Sequence, residues 1–287
     1  MRRQKLKEDI MKGVFMASAL TGILAVALIC LFLFANGLPA LGKIGVFKFL
    51  LGKEWSPADV PPAFGILPMI VGSAYVTAGA ILVGVPIGIF TAVFMARVCP
   101  KGLYRVLKPA VDLLAGIPSV VYGFFGLVTI VPLVRTLFGG NGSSILAASV
   151  LLGLMILPTV IGITESALRA VPQELYDGAV ALGASHERAV FKVLLPAARS
   201  GVLAAVVLGI GRAVGETMAV IMVAGNQARM PVSLLKGVRT LTANIVLEMG
   251  YAAELHREAL IATGVVLFVF ILLINLLFSA FRKDGAK

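Results

Sequence analysis

Six long runs with almost no charge limit what this sequence can fold into. A bilayer core of about 30 Å needs roughly 20 apolar helical residues to cross it, and only helices or closed barrels satisfy every backbone polar group in lipid. The sequence therefore predicts an all-α polytopic membrane protein with six transmembrane helices, one in each run. The runs, of which only the fifth contains charged residues (Arg212 and Glu216), are 14–35, 60–96, 113–134, 136–164, 200–228 and 259–281.

The composition agrees with this prediction. Apolar residues make up 59% of the chain and charged residues only 14%, whereas an average soluble domain has about 25% charged residues. A soluble globular fold is therefore excluded. The two cysteines, Cys30 and Cys99, are too few for a disulfide framework or a cysteine-based metal site.

Lysine and arginine are unevenly distributed between the loops. The N-terminus holds five, the loop after the second run four, the loop after the fourth run four and the C-terminus three, sixteen in all, whereas the alternate loops hold eight. Because positively charged loops stay in the cytoplasm, we expect both termini on the cytoplasmic side of the cell membrane. The first run is longer than the apolar region of a cleavable signal peptide, about 7 to 15 residues, so we expect a retained helix.

No pattern of catalytic residues occurs in the sequence. It contains no Gly-x-x-x-x-Gly-Lys-Ser/Thr phosphate loop, no His-x-x-x-His and no Gly-x-Ser-x-Gly, and its only histidines are His186 and His256. A membrane-embedded enzyme would need paired carboxylates or histidines near the bilayer midplane. We therefore expect no enzymatic activity, no cofactor and no metal ion in this chain.

The segment 169–199 is too polar to enter the bilayer and too short to form a domain. Pro172 is suited to the first position of a short helix, Asp177 favours the positive end of that helix, and Gly183 can end it. Ser185 can then cap a second helix. The pattern predicts two short helices that stand off the membrane and dock in a partner, with a plain surface loop as the alternative.

The residues of this segment resemble a known signature. Asp177-Gly-Ala, with Gly183 six positions later and Val-Leu-Leu195-Pro196 after a further nine residues, is similar to the "EAA" signature of ABC transporter permeases, although Asp177 and Gly178 replace the usual Glu and Ala. The resemblance implies that the segment is a coupling element that receives the conformational change of a separate ATP-hydrolysing subunit. It assigns this contact to Asp177, Gly183, Leu195 and Pro196.

Two further stretches resemble the phosphate-specific import permeases. They are Gly-Arg212-Ala-Val-Gly-Glu216-Thr-Met-Ala and Gly-Ile-Pro-Ser119-Val-Val-Tyr122-Gly, and the first is more similar to the PstC than to the PstA subunit type. The resemblance covers about residues 65–280. It implies an ABC importer type I permease fold, a second PstA-like permease subunit, a cytoplasmic ATPase dimer and an extracytoplasmic phosphate-binding protein as partners.

This resemblance also implies a division of the chain. Residues 1–64 would hold the cytoplasmic N-terminus, the first crossing and an extracytoplasmic loop, residues 65–281 the permease domain, and residues 282–287 a cytoplasmic tail. In the loop, residues 36–62 contain several prolines and Trp55. We expect irregular structure there with at most a short interfacial helix, and Trp55 near the lipid headgroups.

Arg212 and Glu216 are four residues apart, so on a continuous helix they lie on one face and can pair. A lone charge at the centre of a membrane helix costs about 2.5 to 3.5 kcal/mol on insertion scales. We therefore expect Arg212 and Glu216 each to have an ion-pair partner or a functional role. Arg212 can bind phosphate with two hydrogen bonds. We expect both residues in the substrate path, with a purely structural ion pair as the alternative. Weaker candidates for the path are Thr217, Asn226, Tyr122 and Ser119.

Two other functions remain open at this point. An ABC permease for another oxyanion, such as molybdate or sulfate, would keep the coupling segment but should differ around Arg212. A secondary anion transporter or a channel would need neither the coupling segment nor an ATPase.

Small residues recur at four-residue spacing inside the runs, which predicts close approach of helix backbones. They are Gly84 and Gly88 in the second run and Gly201, Ala205 and Gly209 in the fifth.

Overall fold

The structure is a computed structural model that describes residues 2–284, with side chains described at 7, 8 and 10–276. It is almost entirely helical. Three π-helical turns, Phe94–Val98, Gly126–Ile130 and Val190–Leu194, continue α3, α5 and α9, and the short strands β1 (Trp55–Ser56) and β2 (Ala63–Phe64) form an antiparallel hairpin. The helices are α1 (Arg2–Ile44), α2 (Val46–Leu51), α3 (Leu67–Val93), α4 (Lys101–Gly116), α5 (Ser119–Phe125), α6 (Val131–Phe138), α7 (Ile145–Arg169), α8 (Gln173–Ala181), α9 (His186–Ala189), α10 (Leu195–Ala197), α11 (Arg199–Gly215), α12 (Met218–Val223), α13 (Leu241–Glu248) and α14 (Glu254–Asp284).

Five helical segments are long and apolar enough to cross a membrane, and the bent pair His186–Ala197 and Arg199–Gly215 makes a sixth if it forms one crossing. The fifth predicted run, 200–228, is not one helix, because α11 ends at Gly215 and α12 begins at Met218. The helix before α11 is bent from it by 70°. The five continuous segments are Ile10–Ile44, Leu67–Val98, Ser119–Phe138, Ile145–Arg169 and Glu254–Leu276.

The bounds predicted for the third and fourth crossings, 113–134 and 136–164, are wrong. The third crossing starts only at Ser119, because α4 is a separate amphipathic helix whose last turns lie in the uncharged run. The fourth starts at Ile145, after a turn in which Gly139, Gly140 and Gly142 have positive φ. An uncharged run does not mark the ends of a transmembrane helix when part of the run belongs to a glycine turn or to an amphipathic helix.

The helices α3 and α7 pack in parallel along most of their length. A side chain at Gly84 would meet the carbonyl oxygen of Gly153 at 2.6 Å and Ile156 at 2.7 Å, and one at Gly88 would meet Val160 at 2.7 Å. In the most apolar part of α7, 67% of residues are buried, against 33% or less in the other four continuous segments. The α3–α7 pair is therefore the centre of the bundle.

The helix α11 packs on the same α7 in the opposite direction. Gly201 lies against Ala167, Gly209 lies against Val160, and Ala205 between them is fully buried. The close approach predicted from the spacing of small residues is confirmed for both helices.

The two ends of the bundle carry different elements. The end here named the α8 end carries α4, α8 and α9, and the opposite α13 end carries the hairpin, α13 and the segment 225–240. Trp55 lies at the α13 end, is 7% exposed and donates a hydrogen bond from Nε1 to Glu248 Oε2 at 2.8 Å. The hairpin folds the Trp55 ring onto α13 and α14, so its described contacts are with protein.

The N-terminal helix α1 lies antiparallel to α14. Gly37 faces Ala262 and Val265, the rings of Phe34 and Phe268 meet edge to face at 5.8 Å, and Lys43 Nζ lies 2.7 Å from Glu258 Oε2.

We expect Gly84→Ala to lower the thermal stability of the protein, because the added methyl group would lie 2.6 Å from a backbone oxygen of α7 that cannot move away. Overpacking of this kind costs about 1 to 3 kcal/mol. The measurement is the apparent Tm of the purified protein in detergent.

The matched control is Gly162→Ala, where nothing lies within 4 Å of the added methyl group on α7. This variant should keep or raise the Tm, since alanine favours helix. Equal Tm values for the two variants would contradict the central role of the α3–α7 contact.

Candidate functional site

The break between α11 and α12 places polar backbone inside the fifth predicted crossing. Glu216 has an extended backbone (φ −70°, ψ 132°), and Thr217 is the N-cap of α12. Glu216 Oε1 accepts hydrogen bonds from the backbone N–H groups of Thr217, at 3.1 Å, and Ala219, at 3.2 Å. Its carbonyl oxygen accepts a hydrogen bond from Thr242 Oγ1 at 3.0 Å. The break is therefore held by side chains, and the Glu216 carboxylate caps α12.

The predicted pairing of Arg212 with Glu216 is wrong. The two residues do not share a helix face, because the helix ends between them at Gly215. Among the described side chains, the ion pairs within 4.0 Å include neither residue. The carboxylate that was expected to offset Arg212 is bound to backbone N–H groups instead.

Arg212 is half-buried near the end of α11. Tyr122 on α5 donates from its hydroxyl to the carbonyl oxygen of Leu114 at 2.9 Å. Ser119 is the first residue of the same helix α5. Ser119 and Tyr122, the weaker candidates of the stretch before the third crossing, therefore share one helix.

Asn226 lies beyond α12 in a strained backbone conformation, with φ +52°. Its Nδ2 donates to the carbonyl oxygen of Ile221 at 2.8 Å, and its own carbonyl oxygen accepts from Arg239 Nε at 3.1 Å. Its Oδ1 is buried without a hydrogen-bond partner in the described structure. Asn226 therefore belongs to the α13 end, while Thr217 stays at the helix break, where its hydroxyl donates to Gly215 O at 3.3 Å.

A buried polar network at the α13 end was not predicted from the sequence. Glu248 accepts hydrogen bonds from Arg239 and from Trp55, and its Oε2 lies 2.9 Å from His256 Nε2. Arg239 Nη1 also donates to Asn244 Oδ1 at 3.0 Å. The network ties the hairpin, α13 and α14 together, and the long sequence separation of Trp55 from Glu248 left no local signal for it.

The coupling segment, residues 169–199, folds as two short helices joined at Gly183. Pro172 precedes α8 directly, one position before the predicted place, and Gly183 has φ +86° after the last turn. Ser185 Oγ accepts from the N–H of Arg188 at 3.3 Å and caps α9. Tyr176 Oη and His186 Nδ1 lie 2.8 Å apart and hold the two helices together. The predicted pair of short helices is confirmed.

The helix α8 buries none of its residues in this chain. Leu182, which follows it, is 92% exposed, and Leu175 and Val180 are also exposed. Asp177 is exposed and accepts from Gln173 Nε2 at 3.2 Å. Leu195 and Pro196 lie in α10, after the π-helical turn. The segment therefore presents an uncovered, partly apolar surface at the α8 end.

A second buried carboxylate, Glu165, was missed in the sequence. It lies one residue beyond the fourth uncharged run and four residues before Arg169, with which it pairs. Tyr104 and Lys108 of α4 also contact it. The four-residue spacing of Glu165 and Arg169 could have indicated the ion pair. Nothing in the sequence indicated that Tyr104 and Lys108 of α4 contact the same carboxylate.

We expect Glu216→Ala to lower the apparent Tm by the equivalent of about 1 kcal/mol, the usual value of a helix N-terminal cap. Glu216→Gln should stay near the parent protein, because the amide oxygen can still accept from the N–H groups of Thr217 and Ala219. Thermal unfolding of the purified protein checks both variants. If Glu216→Gln is as damaging as Glu216→Ala, the charge of Glu216 and not its capping contact stabilises the break.

The comparisons with known proteins agree with this architecture. The model of the family described as binding-protein-dependent transport system inner membrane component matches residues 84–284. The probable ABC transporter permease protein YqgH of Bacillus subtilis (strain 168) is 41% identical over 288 residues, which cover 96% of this chain and 93% of that protein. The phosphate transport system permease protein PstC of Mesorhizobium japonicum is 35% identical, with 95% and 89% covered.

Solved structures share the fold at lower sequence identity. A bacterial ABC transporter involved in the import of the acidic polysaccharide alginate has a TM-score of 0.65 at 17% identity and covers 99% of this chain and 100% of that one. An inward-facing MetNI methionine ABC transporter has a TM-score of 0.61 at 23% identity, with 77% and 97% covered. The predicted ABC importer permease fold is confirmed. With its family model matched over most of its length, this chain belongs to the binding-protein-dependent transport system inner membrane components.

Proposed function

We propose that this chain is the permease subunit of an ATP-driven phosphate importer and forms part of the translocation path. The observation that carries the proposal is its similarity, over 95% of its length, to a protein named phosphate transport system permease protein PstC. Further relatives of that name are 30% to 35% identical.

The proposal includes the partners that such an importer needs. A second, PstA-like permease subunit completes the path, a cytoplasmic ATPase dimer hydrolyses ATP, and an extracytoplasmic phosphate-binding protein delivers the substrate. The family description, which names a binding-protein-dependent system, supports the binding protein. The chain hydrolyses nothing itself, and residues 65–281 form the permease domain.

The α8 end lies in the cytoplasm in this proposal, together with both termini. The sixteen Lys and Arg residues of the termini and of the second and fourth loops support this orientation, against eight in the alternate loops. The coupling segment then faces the ATPase. Its uncovered residues Leu175, Val180 and Leu182 suit a groove in that partner, because exposed apolar surface next to polar residues favours protein contacts.

Arg212 supplies the fixed positive charge that a phosphate ion needs in a medium of low dielectric. Phosphate carries between one and two negative charges near neutral pH, and a bare anion is strongly disfavoured there. Since Glu216 is occupied by backbone N–H groups, the guanidinium keeps its donors for an oxyanion. Glu216 and Thr217 keep the backbone open beside it, and Asn226 lines the extracytoplasmic side of the path.

The deciding experiment is uptake of labelled phosphate by the complete complex in liposomes. Uptake should require ATP, the binding protein and this chain, and an excess of sulfate or molybdate should not compete. Competition by molybdate or sulfate with little phosphate uptake would favour the permease for another oxyanion. Uptake without ATP would favour a secondary transporter.

We expect Arg212→Gln to lower phosphate uptake by at least about tenfold, the value of one charge-assisted hydrogen bond. Arg212→Lys keeps the charge but loses the planar fork, so it should retain partial uptake. The complex should still assemble, and the binding protein should still capture phosphate. Arg105→Gln, an exposed arginine on α4, is the matched control and should transport normally. Normal uptake by Arg212→Gln would remove Arg212 from the path.

We expect Gly183→Val to weaken binding of the ATPase while the chain still inserts in the membrane. The φ of +86° at Gly183 strains a branched side chain, although nothing lies within 4 Å of the added atoms. Such strain costs about 1 to 3 kcal/mol and should displace α9 from α8. Co-purification of the ATPase measures the effect. Gly178→Ala inside α8, which also has free space, should bind the ATPase normally; equal binding by both variants would argue against the coupling role.

A further inference from the structure

The carboxylate of Glu165 lies at the α8 end of the bundle and is almost completely buried, with its side chain 3% exposed. Its Oε1 accepts hydrogen bonds from Tyr104 Oη at 2.6 Å and from Arg169 Nε at 2.8 Å. Its Oε2 lies 3.4 Å from Lys108 Nζ. One carboxylate therefore holds α7, which carries Glu165 and Arg169, to α4, which carries Tyr104 and Lys108.

The partners of Glu165 extend this contact to α3. Arg169 Nη2 donates to the carbonyl oxygen of Met95 at 3.0 Å, in the π-helical turn that ends α3. The Arg169 guanidinium also stacks over the ring of Tyr104, 4.6 Å from its centre. Arg169, which belongs to α7, thus contacts the end of α3 and α4 at the same time. Its hydrogen bond to Glu165 fixes the side-chain conformation that makes these contacts.

Two partners of Glu165, Tyr104 and Lys108, keep their protons at neutral pH. The hydrogen bond to Glu165 raises the pKa of Tyr104, so the phenol remains a donor. Partial burial disfavours the charge of Lys108, but the hydrogen bond to Asp112 and the charge of Glu165 outweigh this and raise its pKa. Tyr104 therefore stays a donor to Glu165, and Lys108 stays a cation between Glu165 and Asp112.

A second arginine connects this cluster to the coupling segment. Arg97 Nη2 donates to the carbonyl oxygen of Leu168 at 2.6 Å, and its Nη1 donates to Oε1 of Gln173, the first residue of α8, at 3.2 Å. Val93, Leu168 and Leu194 pack together beneath the same segment. Tyr176 of α8 packs on this apolar cluster as well, so its ring and the hydrogen bonds of Arg97 join the start of α8 to α3 and α7.

We propose that Glu165 is a positioning residue through which movement of the coupling segment is passed to α3, α4 and α7 as one unit. This inference rests on the proposed function, in which the ATPase moves that segment. A shift at Gln173 acts through Arg97 on the last turns of α3 and α7, and the Glu165 cluster makes α4 follow. Without the carboxylate, Arg169 and Lys108 lose their common partner and α4 can slip against α7.

The test is Glu165→Gln in the complete complex in liposomes, with phosphate uptake and ATP hydrolysis measured on the same sample. We expect the complex to assemble and to hydrolyse ATP, while the phosphate moved per ATP falls about tenfold, within the range of coupling between sites in proteins. Stimulation of hydrolysis by the phosphate-loaded binding protein should fall with it. Glu165→Asp, which keeps the charge, should recover part of the ratio.

The matched control is Glu258→Gln, which removes the exposed ion pair with Lys43 at the opposite end of the bundle. Its ratio of phosphate to ATP should equal that of the parent protein. An unchanged ratio in Glu165→Gln, or equal losses of uptake and hydrolysis in an assembled complex, would overturn the inference, because a merely structural residue lowers both together.

Two milder variants decide the question if Glu165→Gln does not assemble. Tyr104→Phe removes one hydrogen bond but keeps the ring beneath Arg169, and Gln173→Ala cuts only the exposed link from Arg97 to α8. Both should lower the phosphate moved per ATP with the ATPase still bound, and normal ratios in both would overturn the inference. Failure of the proposed function is distinguishable, since it appears in the parent complex as an absence of ATP-dependent phosphate uptake.

Discussion

The close packing of α3 against α7 is the contact on which the rest of the bundle depends. Lipid provides no hydrophobic force between helices, so their association depends on van der Waals contact at short distance, and Gly84, Gly88 and Gly153 allow this distance. Residues at the two ends of this helix pair position the neighbouring helices α13 and α4. At the α13 end, Ser73 of α3 accepts from the N–H of Leu241 and positions α13. At the α8 end, Glu165 of α7 positions α4.

Features that depend on neighbours in sequence could be predicted from the sequence. Ser185 caps α9 through a residue three positions away, and Gly183 ends α8 because a positive φ is needed directly after the last turn. The apolar runs long enough to cross a membrane and the four-residue spacing of Gly201, Ala205 and Gly209 have the same local origin. Each of these predictions needs only the geometry of one helix and its ends.

Features that depend on distant partners could not be predicted in this way. The i,i+4 argument for Arg212 and Glu216 assumed a continuous helix, and the break at Gly215 removes its premise. Nothing in the sequence indicated that Glu248, far along the chain, offers the indole of Trp55 a buried acceptor. Glu165 was overlooked because a carboxylate next to a loop is usually solvated, and only the fold brings α4 over it.

Two glutamates, Glu216 in the proposed path and the buried Glu165 next to the coupling segment, show how the surroundings decide what a carboxylate does. Glu216 accepts from backbone N–H groups and so stabilises a helix end, and Arg212 has no ion-pair partner within 4.0 Å among the described side chains. Glu165 accepts from side chains of two helices and is close to two cations, so it fixes how those helices lie. A charge beside the path has to remain available to a passing anion, whereas a charge that joins helices has to stay paired during their movement. In the proposed importer, this difference in hydrogen-bond partners separates the region assigned to substrate contact from the region assigned to movement by the ATPase.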